Sequence, residues 1–215
     1  MTRQSNFLDT TPGGQAVRNI PEGLHYHPEL IDVVTEDAVI ARLRELPFKE
    51  FEFHGYTGKR RVVSFGWQYE FSGRGKLRKA DDIPEFLLPL RALAANVAGV
   101  EPESFQHVLA IEYGPGAGIG WHRDKPVFGE VVGVSLLAPC VLRFRRKVVD
   151  EPGTSKRQGS KLSPRVRSSW ERANLSAEPR SAYHLSGPAR YEWEHSILRV
   201  DSLRYSITFR NLRAD

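Results

Sequence analysis

From Phe105 to its C-terminus this chain is a series of short apolar runs cut by glycine and proline. The runs are Gln106–Tyr113, Val131–Leu137, Val141–Phe144, Ser181–Leu185, Arg190–His195 and Leu203–Arg210. Many short strands with turn signals between them predict a sandwich or a jelly roll. Upstream the texture differs. Leu24–Pro28 reads as an opening strand, and Thr35–Leu46 reads as a helix. There Thr35 is the expected N-cap, Val39, Leu43 and Leu46 share a face, and Pro47 is the stop. Arg61–Phe71 is rich in strand formers, with Gly66 as a possible break. A second helix is expected over Ile83–Val97, with Pro84 near its start and Gly99 past its end.

The 215 residues suit one domain with an ordinary core, 40% hydrophobic. Residues 1–20 are polar, with Pro12-Gly13-Gly14, and are expected to be poorly ordered; 21–215 would be the domain. The single Cys140 excludes an internal disulfide and disfavours structural zinc, which fits a reducing cytosol. The N-terminus has no apolar signal core, and the longest nearly apolar run, Val131–Leu142, is too short to span a bilayer. A cytoplasmic monomer with no membrane partner is the expectation.

The net charge of +5 suggests a polyanionic partner. Its distribution says more. From Arg143 to Arg180 there are 11 basic and 4 acidic residues, and the rest of the chain is slightly acidic. Within this stretch, 147–180 reads as a basic mobile loop.

His122 and Asp124 stand two positions apart after a glycine-rich run. On a strand they would point the same way. With a distant histidine they would form the two-His-one-carboxylate face that holds Fe(II) and leaves positions open. His25 and His27 share a strand face but have no evident carboxylate, which favours a strand edge. His54 and His107 have no supporting pattern. His184 and His195 both lie in late strands, and spacing alone does not choose between them. On a strand, Arg204, Ser206, Thr208 and Arg210 share one face and Tyr205, Ile207 and Phe209 the other. If both faces are core, the arginines need anionic partners, and a dicarboxylate is suitable because guanidinium matches carboxylate bidentately.

The strand Glu112-Tyr-Gly-Pro-Gly-Ala117, the His122-Arg-Asp124 pair, Tyr191-Glu-Trp-Glu-His195-Ser-Ile and Arg204-Tyr-Ser-Ile-Thr-Phe-Arg210 occur in that order. In them the sequence resembles the AlkB family of Fe(II)- and 2-oxoglutarate-dependent dioxygenases, from about Phe105 to the end. The run Lys59–Gly73 is a looser match to the flap with which that family grips a nucleotide. The resemblance implies an α+β, mainly β fold: a double-stranded β-helix (jelly roll) core, N-terminal helices packed on it, and a nucleotide-recognition-like flap. It selects His195 over His184 and implies His122, Asp124 and His195 as catalytic iron ligands. It implies Arg204 on the distal carboxylate of 2-oxoglutarate, helped by Tyr113, with Ser206 and Arg210 near the other end. The flap aromatics Phe65, Trp67, Tyr69 and Phe71 would touch substrate, although core packing explains them equally well.

The implied reaction consumes Fe(II)-bound O2 and 2-oxoglutarate and removes N-alkyl groups from bases of nucleic acid, with DNA repair ahead of RNA. Three positions depart from the family's pattern. Ile111 and Ser206 stand where many members have Asn, and Pro126 stands where repair members often carry a carboxylate near the damaged base. The departures leave open the same chemistry on a protein side chain, an RNA modification or a small molecule. A non-catalytic nucleic-acid-binding jelly roll would need neither the triad nor the arginine pair.

Overall fold

The computed structural model describes residues 20–53, 56–69, 77–149 and 168–213. The expected disordered N-terminal segment, up to residue 19, lies outside them. The chain opens with β1 (Leu24–His27), α1 (Val33–Leu43), β2 (Lys49–Phe53), β3 (Tyr56–Tyr69) and β4 (Leu77–Lys79). A 3-10 turn leads into α2 (Leu88–Ala98), and a second precedes β5 (Phe105–Tyr113). Then come β6 (Ile119–His122), β7 (Phe128–Leu136), β8 (Cys140–Val149), β9 (Ser168–Ala177), β10 (Ala182–Leu185), α3 (Gly187–Tyr191), β11 (Glu194–Ile197) and β12 (Arg204–Leu212).

The strands form two antiparallel sheets. The larger runs β1-β10-β7-β12-β5-β3-β2, with β4 on β3, and the smaller runs β6-β11-β8-β9. This is the jelly-roll arrangement of a mainly β chain. The large sheet is buried on both faces. On one face Tyr205, Ile207 and Phe209 of β12 join Val132 and Val134 of β7 in a cluster with Val39, Ile40 and Leu43 of α1 and Leu90, Ala94 and Ala95 of α2. On the other, Ile111 and Tyr113 of β5 meet Leu142 and Phe144 of β8 and Ile197 of β11. Truncating a wholly buried leucine such as Leu43 or Leu142 to alanine costs about 2–5 kcal/mol. No helix among the described residues is long and apolar enough to cross a membrane.

Local chemistry explains the element ends and corrects several expectations. The N-cap of α1 is Asp32, not Thr35: its extended backbone lets its carboxylate accept from the Thr35 N–H at 2.8 Å. The helix stops at Leu43, before Pro47 is reached. Gly99 closes α2 in the left-handed conformation, φ 66°. Gly66, at φ 77°, is where β3 leaves β5 and takes up β4, and a Cβ there would collide with the Gln106 carbonyl. The stretch 190–195 is not one strand. α3 ends at Tyr191, and only Glu194 onward pairs with β8. The region 147–180 is not one loop either. β9 pairs with β8 from Ser168 to Ala177, because alternating Ala173, Leu175 and Ala177 bury against the small sheet's inner side.

Candidate active site

β6 and β11 lie side by side at the edge of the small sheet, with His122 directly opposite His195. Their rings sit 4.2 Å apart, centre to centre, at 56°. Asp124 lies two residues past the end of β6, so the shared strand face expected of His122 and Asp124 is not what joins them. A turn brings the carboxylate back, to 3.8 Å between Oδ2 and His195 Nε2. Two imidazoles and one carboxylate therefore gather at one corner of the sandwich. The cluster is gathered rather than closed: among the described residues, no three His, Cys, Asp or Glu stand in a metal-ligand cage.

The protonation states suit a metal. His122 Nδ1 lies 3.0 Å from the Gly120 carbonyl, which can only accept, so Nδ1 donates and Nε2 is the nitrogen left for a metal. Burial, reinforced by His122, lowers His195 to about 3 despite the opposing pull of Asp124. The imidazole is then neutral at pH 7, and its contact with Asp124 is not a salt bridge. Burial alone would raise the Asp124 carboxyl. Arg210, His195, His122 and Arg190 together outweigh it and hold the group well below the usual carboxylate range.

Two arginines keep Asp124 where it is. Arg210 donates to Oδ1 from both Nε (3.0 Å) and Nη2 (2.9 Å). Arg190 ties down the backbone that follows. It donates to the carbonyls of Lys125 (2.6 Å), Phe128 (2.7 Å), Gly129 (3.0 Å) and Asp124 (3.3 Å). Arg190 was visible only as part of a run resembling a strand, and its anchoring role has no local sequence signal.

The polar face of β12 points into the sandwich. Arg204, Ser206, Thr208 and Arg210 are all buried, between 0% and 8% exposed, so the face is no solvated edge. Arg204 lies over the ring of Tyr113, 4.8 Å from its centre, and Nη2 donates to Ser135 Oγ at 3.1 Å. Its Nε and Nη1, and the Tyr113 hydroxyl, are buried with no partner among the described residues. Three unmatched donors on two side chains in contact suit an anion with acceptor oxygens, a carboxylate. Six residues on, and about 20 Å along the strand by its rise, Arg210 has two of its donors on Asp124 and only Nη1 without a partner. Arg210 is thus foremost a partner of Asp124, a contact that the sequence did not suggest. His107, also buried, meets the Phe128 ring at 4.9 Å, tilted by 41°. His184 is 2.5 Å from Glu130 and stacks on His25 of β1 at 5.8 Å, away from Asp124's partners.

The flap residues separate. Phe65 is 6% exposed and packs in the helix-side core, so it is not free to stack on a base. Trp67 is 37% exposed. Tyr69 is the last residue of β3, and Phe71 lies outside the described residues.

The chain belongs to the 2OG-Fe(II) oxygenase superfamily, which matches residues 40–210. It is accordingly a dioxygenase of a family that uses Fe(II), 2-oxoglutarate and O2. Within that superfamily it is AlkB-like. It is 28% identical over 217 residues, 91% of this chain, to the protein of Arabidopsis thaliana named alkylated DNA repair protein ALKBH8 homolog. It spans 59% of that relative's length. Among solved structures, OsALKBH1 superposes with a TM-score of 0.62 at 15% identity, covering 91% of this chain and 100% of that one. A 2OG-Fe(II) oxygenase family oxidoreductase from Burkholderia pseudomallei gives 0.56 at 14% identity, covering 90% and 86%. At these identities the superpositions speak for the fold alone.

Proposed function

We propose that this chain removes N-alkyl groups from bases of nucleic acid, DNA before RNA, with His122, Asp124 and His195 holding the iron. The observation that carries the site assignment is the pairing of that cluster with buried, unmatched donors at Arg204 and Tyr113. Two imidazoles and one carboxylate are the donor set that suits Fe(II) and leaves sites open for a cosubstrate and O2. When bound, iron with 2-oxoglutarate supplies the oxidising chemistry that hydroxylates the alkyl carbon, after which the product sheds an aldehyde.

The protein's part is positioning. Arg204 would donate to one carboxylate of the cosubstrate from an unmatched nitrogen, Nε or Nη1, with the Tyr113 hydroxyl as a further donor. Ser206, on the same buried face, lies toward the iron end. Arg210 and Arg190 hold Asp124 and its turn, so this carboxylate is set before metal arrives. The buried walls around the face of β12 keep water out.

The nucleic-acid substrate rests on the likeness to a relative named for alkylated DNA repair, on the net charge of +5 and on the half-open Trp67 at the end of β3. Pro126, in the turn held by Arg190, offers no carboxylate to a cationic base, and this favours a neutral alkylated base. The test is incubation with methylated single- and double-stranded oligonucleotides, followed by mass spectrometry. Loss of 14 mass units per methyl, on the order set by CH2, is the expected result. Unchanged oligonucleotides beside intact 2-oxoglutarate turnover would move the substrate to a protein side chain or small molecule.

A further inference from the structure

The outer side of the small sheet, behind the histidines, is basic and aromatic. β6 offers Trp121, β8 offers Arg143, Arg145 and Lys147, and β9 offers Trp170 and Arg172. These alternate with the inward residues Leu142, Phe144 and Ala173. The guanidinium of Arg145 lies between two indoles, 4.5 Å from the Trp121 ring centre and 4.4 Å from that of Trp170. Arg143 adds a second contact to Trp121 at 4.8 Å. Arg145 is also directly opposite Arg172 across the sheet, and Lys147 is opposite Trp170. Like charges in register destabilise a sheet. The neighbouring carboxylate, Glu194, is bound to Arg145 at 2.6 Å. Arg172 and Lys147 are exposed, and Trp170 is 40% exposed.

We propose that this face binds the sugar-phosphate backbone and one unstacked base of a single-stranded nucleic acid whose neighbouring nucleotide enters the active site. The inference rests on the nucleic-acid reading above and gives it a second contact surface. Phosphates would pair with the exposed Arg172 and Lys147, and Trp170 offers a planar face on which any base stacks. Position supports the link. Trp121 precedes His122, and Glu194 and Ser196 flank His195, so the face and the metal cluster are two sides of the same two strands. β6 is the sheet's edge, around which a strand passes from one side to the other. A protein partner has no comparable need for stacked guanidinium and indole planes beside exposed cations.

The experiment measures binding of an unmodified, fluorescein-labelled single-stranded oligonucleotide at several salt concentrations. Arg172→Glu and Trp170→Ala alter exposed side chains, and Trp170→Phe keeps a stacking ring. Arg172→Glu is expected to weaken binding about tenfold and to lower the salt slope by about one contact's worth, roughly 0.7. Trp170→Ala is expected to weaken it about fivefold or more, with Trp170→Phe restoring most of the loss. All three should keep wild-type substrate-free turnover of 2-oxoglutarate. Wild-type affinity and slope in Arg172→Glu would overturn the proposal. So would equal binding by Trp170→Ala and Trp170→Phe, or losses seen only with anionic lipid vesicles. Because no dealkylation is read, face-dependent binding without demethylation in the separate assay refutes the repair reading and not this surface.

Discussion

Replacing Arg204 with methionine should make the protein more stable without cosubstrate and blind to it. Arg204 is wholly buried, and its Nε and Nη1 meet no acceptor. An orphaned buried donor costs about 1–3 kcal/mol, so the two together cost roughly 2–6 kcal/mol. Against this stand the bond to Ser135, worth about 1–2 kcal/mol, and the contact with the Tyr113 ring, worth up to about 2 kcal/mol. Methionine fills much of the same space with no donor to satisfy. Taken at the midpoints of these ranges, the balance favours Arg204→Met by about 1–2 kcal/mol, which in a chain of this size raises Tm by roughly 2–8 °C. With 2-oxoglutarate the order reverses. A buried carboxylate that loses its guanidinium forfeits about 2–5 kcal/mol, a rise in Kd of roughly 30-fold to several thousand-fold. Thermal unfolding followed by fluorescence, anaerobically with Mn(II) and rising 2-oxoglutarate, reads both effects. The wild type should start lower and climb with ligand, while Arg204→Met starts higher and stays flat. A variant that starts lower and climbs as the wild type does would refute the assignment of Arg204.

Three further outcomes follow from the same geometry. Arg190→Lys removes most of the fork that holds the turn after Asp124, so Co(II) titration should show metal affinity weakened about 10- to 100-fold. His107 is held by burial, with help from Arg210, at about 3. An unfolded histidine takes up its proton below about 6.5, so the unfolded state binds more protons and stability falls as pH drops from 6.5 toward 3. Denaturant melts should show His107→Phe removing about 1.4 kcal/mol per pH unit from that slope. Gly66→Ala, with its positive φ and the Gln106 carbonyl in the way, should lower stability by more than about 1 kcal/mol in the same melts.

The strands after Phe105 were legible because alternation and punctuation by glycine and proline are local signals. The same signals misled at Arg190–Tyr191, where Gly187-Pro188 starts a helical turn, and at 168–177, where serines and charges disguise a strand paired with β8. The metal cluster could be read as residue types, but not how it is assembled. His122 and His195 meet through cross-strand register, and Asp124 returns by a turn pinned from 66 residues away. Such long-range hydrogen bonds leave no periodic trace. That is why Arg190 and Ser135 carry no signal in the sequence, and why the hold of Arg210 on Asp124 is not legible there. Phe65 shows the opposite failure: its strand pattern was right, but only the packing of α1 and α2 decides that it faces the core.

Fe(II) held by His122, Asp124 and His195 beside a 2-oxoglutarate anchored by Arg204 should be visible in solution. Anaerobic addition of Fe(II) and then 2-oxoglutarate should give a weak visible charge-transfer band that saturates at one iron per chain, and His122→Ala should lack it. A wild-type protein without the band, or a His122→Ala variant that keeps it, would refute this assignment of the iron ligands.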